Sequence, residues 1–246
     1  MNHAGFSLVE TMVSATLGAV ILGSALDMFV TQHAHFKGQH TKAELQQDLR
    51  GGVRLLESEL RLAGAGALVG SSPVTVMAAS EVVFQANVNG VRGSLVEAAA
   101  SGQDQVVIRP GAGWAKGKTV VLCGPSGCEK QVLARDGTSG TLSLSSPLAR
   151  DFPVGSRIEV VNRVRYYLSR SDPKNLKVMR EVDRGANPLI EHVESFSLTY
   201  LRDNGTPAVT GDEVRLVTVR IETSGNDGRG KRIRRAHTQE MGVRAL

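Results

Sequence analysis

Glu10 is the residue whose type and position most demand a chemical reason. From Phe6 to Leu26 about twenty residues run without another charge, enough to cross a hydrocarbon core of roughly 30 Å as a helix. A charged side chain inside such a segment costs on the order of 2.5–3.5 kcal/mol on insertion scales, so its presence implies a function with a partner.

Cys123 and Cys128 are separated by Gly-Pro-Ser-Gly. Two thiols joined by so short a turn suit a small disulfide loop in an oxidising compartment. Free thiols are the alternative, and a metal site would need further ligands that do not sit nearby. The same stretch, Gly124-Pro-Ser-Gly127-Cys-Glu129-Lys130-Gln131, imitates the phosphate-binding pattern Gly-x-x-x-x-Gly-Lys-Ser/Thr. Glu129 stands where the pattern needs its second glycine, and Gln131 where it needs a hydroxyl. A carboxylate there repels phosphate and no amphipathic helix follows, so a hairpin tip is expected and nucleotide binding is rejected.

His33, His35 and His40 could ligate a metal in principle, but no cysteine or carboxylate cluster has matching spacing. A solvated helix face is expected instead. Asp203-Asn-Gly205 and Asn226-Asp-Gly228 read as turns, and as weak candidates for calcium. Trp114, between glycines, reads as a loop anchor. No catalytic set assembles, so the chain is not expected to be an enzyme, and neither a cofactor nor a metal is expected.

The elements that position these residues start with a helix. Leu45, Leu49, Val53, Leu56 and Leu60 recur at three- and four-residue steps, an apolar stripe on an otherwise polar helix. Gly51-Gly52 costs roughly 1 kcal/mol per residue relative to alanine, which makes a bend there an expectation. Ala63-Gly64-Ala65-Gly66 ends the helix. From Phe6 to Ala63 it would be about 85 Å long at 1.5 Å per residue, with one half in lipid or a filament core and the other packed on a domain.

Beyond Pro73 the texture changes to short runs bounded by Gly, Pro, Asn and Asp. Strands are expected at Val74–Met77, Glu81–Ala86, Gln105–Arg109, Thr119–Leu122, Glu129–Ala134 and Thr141–Leu144. Further ones are expected at Arg157–Asn162, Val164–Ser169, Leu176–Val182, Val193–Leu201, Val214–Thr223 and His237–Val243. Phe196, Leu198 and Tyr200 alternate with polar residues, as do Val217, Val219 and Ile221, which predicts one buried and one wet face. Residues Val88–Gly102 read as an irregular loop with a short helix at Ser94–Ala100.

The short polar leader, the Gly5-Phe6 junction and the carboxylate of Glu10 together resemble the N-terminus of type IV pilins and type II secretion pseudopilins. The resemblance implies cleavage after Gly5 by a prepilin peptidase and N-methylation of Phe6. It also implies that Glu10 neutralises the terminal amine of an adjacent subunit and sets register in a filament. One helical turn rises about 5.4 Å, too far for easy pairing within a chain but suited to a neighbour shifted along its axis. Leu60-Arg61-Leu-Ala63-Gly64, Arg165-Tyr-Tyr167-Leu, Asn175–Arg180, Pro188–Val193 and Phe196–Tyr200 look like the helix end and strand series of PilW-type minor pilins.

The leader departs from that pattern in lacking Lys and Arg, while Lys37 and Lys42 follow the span. On charge alone the positive-inside rule would turn the body inward. Our reading follows the junction, with an upstream start or a tolerated neutral leader as the explanation.

The chain has 246 residues, 41% hydrophobic and 22% charged, an ordinary globular composition. Aromatics at 4% disfavour nucleic-acid binding by base stacking. The most concentrated source of the +5 net charge is Arg229, Lys231, Arg232, Arg234 and Arg235. A hairpin with a solvated basic rim is expected there. The sharper alternative is contact with an acidic partner, a neighbouring subunit or DNA, whose binding would weaken steeply with salt.

The expected architecture is α+β and pilin-like, a long N-terminal helix packed on a β-rich head. Its segments are a leader at 1–5, a transmembrane or filament-core helix at 6–30, an amphipathic continuation at 31–66 and a head at 67–246. The expected role is a minor pilin or pseudopilin, anchored once in the inner membrane with a periplasmic head and placed near a filament tip. Its partners would be other pilin subunits, the peptidase and the inner membrane. The alternatives are a type II secretion pseudopilin and a signal-anchored or secreted β-rich binding protein. Cleavage after Gly5, rather than after Ala25 or nowhere, separates the pilin readings from the last of these.

Overall fold

The computed structural model describes residues 7–68, 70–109, 111–137 and 140–243. Helix α1 spans Leu8–Leu60, and strands follow at β1 (Val74–Ala78), β2 (Glu81–Ala86), β3 (Arg92–Ser94), β4 (Gln105–Val107), β5 (Thr119–Gly124) and β6 (Gly127–Val132). They continue with β7 (Thr141–Ser143), β8 (Arg157–Val160), β9 (Asn162–Ser169), β10 (Leu176–Val182), β11 (Gly185–Leu201), β12 (Leu216–Asn226) and β13 (Arg232–Gly242). A long helix followed by a β-rich head is the α+β, pilin-like plan.

The chain divides into two compact units, Met1–Gln47 with Ser224–Arg235, and Asp48–Thr223 with Ala236–Leu246. In the second unit the main sheet has the order β1-β2-β9-β10-β11-β12-β13, antiparallel at each pairing from β1 to β12. Phe196 faces Ile221, Leu198 faces Val219 and Tyr200 faces Val217 across the β11–β12 pair, so both alternating runs bury one face together. Leu49, Val53, Leu56 and Leu60 of α1 complete this core against Phe84, Tyr166, Val178 and Ile190.

A second core lies among β3-β8-β5-β6 and the β4-β7 pair. Leu95, Ile108, Leu122, Leu142, Phe152 and Ile158 fill it, and Trp114 is buried there too. The helix expected at Ser94–Ala100 does not form. Ser94 ends β3, and Leu95 and Ala99 make isolated bridges to Ile108 and Phe152. Tertiary pairing of Leu95 and Ala99 into the second core outweighs the local helical tendency of an alanine-rich run.

Other differences are of extent. Strand β11 starts at Gly185 rather than Val193, because Asp183 and Arg184, both with positive φ, close a two-residue hairpin from β10. The β10–β11 register then shifts between Val178↔Ile190 and Leu176↔Val193, with His192 at φ 56°, a bulge that lets so long a strand follow the sheet's twist. At Gly51-Gly52, where a bend is expected, α1 continues as helix without a break.

Candidate functional site

The N-terminal part of α1 exposes its apolar side chains. Leu8, Val20, Ile21, Leu22 and Leu26 each keep 65% or more of their surface. Within Leu8–Leu60 there is a window long and apolar enough to cross a membrane, with mean hydropathy 1.8, and none of it is buried. Three of its hydroxyls are satisfied inside the helix, since Thr11, Thr16 and Ser24 donate to the carbonyls of Leu8, Val13 and Val20 at 2.8 Å each. Hydroxyls so paired can enter lipid or a helical bundle at little cost, which leaves Glu10 as the charged group of the segment. Glu10 sits in the first turn of α1 and is exposed, while Gly5 and Phe6 lie outside the described residues.

Further along the same unit, Phe29 stacks on His33 with ring centroids 6.2 Å apart, and His40 lies 3.8 Å from Glu44. These histidines thus belong to local helix-face contacts, and among the described residues no group of three His, Cys, Asp or Glu gathers. The basic cluster divides between a turn and a strand. Asp227 and Lys231 close the turn through a backbone hydrogen bond of 2.9 Å, and Arg232, Arg234 and Arg235 lie on β13. Asp227 Oδ1 accepts the amides of Arg229 (2.9 Å) and Lys231 (2.8 Å). Backbone hydrogen bonds, that of Lys231 first, hold its carboxyl below the usual range.

In the second unit the C-terminal half of α1 meets the sheet through a polar lock that the apolar stripe does not reveal. Glu59, 5% exposed, accepts the Tyr166 hydroxyl at 2.5 Å and Arg180 Nε at 2.9 Å, with a second bond from Arg180 Nη2. Burial first, then the Glu59 carboxylate, pushes the Tyr166 hydroxyl far above its ordinary range, so it stays a donor. A glutamate at the edge of an apolar helix stripe is the signal that could have found this group. Gly52 is the other residue missed, since a Cβ there would stand 2.4 Å from Ile190 Cγ1.

Cys123 and Cys128 face each other across the β5–β6 hairpin and are joined by a disulfide with Cα atoms 4.1 Å apart. Glu129 accepts the amide of Ala149 and the Gln131 side chain, and Arg150 donates to the Ser126 carbonyl. The glycines thus form a strand-to-strand turn whose carboxylate is committed to protein donors. Among the described residues β6 is followed by β7, with no helix after the turn.

Residues 1–26 match the family model described as the prokaryotic N-terminal methylation motif. The N-terminus is of the type IV prepilin kind. A methylation motif, a long helix with an exposed apolar first part and a β-rich head are therefore present in one chain. No curated protein matches the chain.

Proposed function

We propose that the chain is a minor pilin or pseudopilin, a non-enzymatic subunit that joins or initiates a type IV pilus-type filament after cleavage between Gly5 and Phe6. The observation that carries this reading is the methylation motif at 1–26 running straight into a helix whose apolar side chains are exposed. Exposed apolar surface of that extent needs lipid or other helices to cover it. Before assembly the segment at 6–30 spans the inner membrane, and in the filament it packs against its counterparts.

Glu10 pairs with the Phe6 amine of a neighbouring subunit and sets the axial register. The other pilin-type subunits and the prepilin peptidase are the partners this chemistry requires. The Cys123–Cys128 disulfide supports a head in an oxidising compartment, the periplasm. A head of about 180 residues, roughly the whole of an ordinary domain, fits poorly into every filament layer, which favours the tip.

The test is the N-terminal residue and mass of the mature protein from its native host. N-methylated phenylalanine at Phe6 supports the reading, whereas a start at Leu26 or retention of Met1 sinks it. A Glu10→Leu chain should then insert in the membrane normally but no longer cross-link into filaments.

A further inference from the structure

The basic turn runs down α1 toward the end of the apolar segment. Thr41 Oγ1 donates to the Asn226 carbonyl at 3.4 Å, and a Cβ on Gly38 would meet the Asp227 Cβ at 3.2 Å. A Cβ on Gly228 would stand 2.7 Å from the Ala34 Cα. As the chain advances from 226 to 228, its helix neighbour steps back from Thr41 to Ala34. The tip is thus seated four residues past Val30 and eight past Leu26, a rise of about 6–12 Å from the end of the apolar run. The polar layer on each side of a hydrocarbon core is about 5–8 Å thick, so the tip stands at the outer edge of the headgroup layer, within side-chain reach of it.

The chemistry of that tip is cationic. A cleft of about 610 Å³ is lined by His35, Lys42, Arg229, Lys231 and Arg232, with Asp227 the one acid among its described lining residues. Asp227 directs its carboxylate to the amides of its own turn. Arg229 and Lys231 are exposed. Glycine at 228 permits the close approach to the helix backbone, so the turn is braced at one height.

We propose that the turn Asp227–Lys231 is a membrane-surface clamp, which holds the phosphate headgroup of an anionic phospholipid between Arg229 and Lys231 while the chain is anchored. This rests on the reading that the segment at 6–30 spans the membrane. Each basic side chain near an anionic surface strengthens attachment about fivefold. The clamp fixes how far the turn stands from the bilayer before assembly and is screened by salt.

The test is amide hydrogen exchange on the full chain in nanodiscs of phosphatidylcholine, with and without phosphatidylglycerol. Protection of 8–26 in both discs reports the span, and protection of 227–233 reports the clamp. The expected result is exchange at the turn slowed about fivefold or more by phosphatidylglycerol. That protection should be lost in Arg229→Ala/Lys231→Ala and at high salt, with 8–26 unchanged. A protected span with a turn indifferent to phosphatidylglycerol overturns the clamp alone, and an unprotected span overturns both readings. Equal protection of the turn by inorganic phosphate or by a DNA oligonucleotide in phosphatidylcholine discs also overturns the clamp, in favour of a free-phosphate or DNA site.

Discussion

Glu59 of α1 and Arg180 of β10 form a two-bonded ion pair with only 7% and 25% of their side chains exposed. The pair ties the helix to the middle of the main sheet, and Tyr166 occupies the same carboxylate. Removing Arg180 leaves the buried Glu59 carboxylate without its countercharge. Arg180→Ala should therefore cost about 3 kcal/mol of stability, near the lower end for a broken buried pair. Replacing both residues by apolar ones should cost less than the two single changes together. Urea midpoints of the four proteins in detergent check this.

Gly51 and Gly52 should respond to alanine with opposite signs. A Cβ at Gly51 meets open space, so Gly51→Ala should stabilise by about 0.5–1 kcal/mol through helix propensity. At Gly52 it would collide with Ile190, and overpacking of about 1–3 kcal/mol outweighs the propensity gain. Thermal midpoints should rise for the first and fall for the second, and Ile190→Ala should relieve the fall.

The Cys123–Cys128 bridge closes a loop with a sequence separation of five. Its loss, by Cys123→Ser with Cys128→Ser or by reductant, should cost about 2 kcal/mol on the loop-entropy scale. The reductant should lower the thermal midpoint of the natural chain and leave that of the double variant unmoved.

Asp183 contributes to the acid dependence of the second unit. Burial pushes its carboxyl up, but hydrogen bonds from Lys118, Asn162 and the Arg163 amide outweigh this and hold it below the usual range. A carboxylate depressed in the native state contributes stability that is fully present above its unfolded value of about 3.9. That contribution is lost as pH falls through the lower native value. Asp183→Asn should lower stability at neutral pH and flatten the acid limb, as read by denaturant midpoints over descending pH.

The local patterns in the chain were sufficient for a good part of this architecture. Alternation at Phe196–Tyr200 and Val217–Ile221 follows from the two-residue period of a strand, and the Leu49–Leu60 stripe from the helical period. Each needs only a few neighbouring residues to be read. The hairpin around Gly124–Gly127 was legible for the same reason, since Glu129 breaks the phosphate pattern within it. The methylation motif is likewise a contiguous string.

Tertiary structure decided what depends on residues far apart in the chain. Ser94–Ala100 has local helical composition, yet becomes strand and bridges because Ile108 and Phe152 offer partners. Gly52 looked like a weak point in a helix until Ile190 arrived against it from β11. Glu59 stands beside the apolar stripe as a local pattern, and only its seat beside Tyr166 and Arg180 makes it a buried lock. The basic cluster was plain as composition, but its height along α1 is set by Gly228 against Ala34. Period and composition are properties of neighbouring residues, whereas burial, close approach and charge pairing are properties of segments that folding brings together.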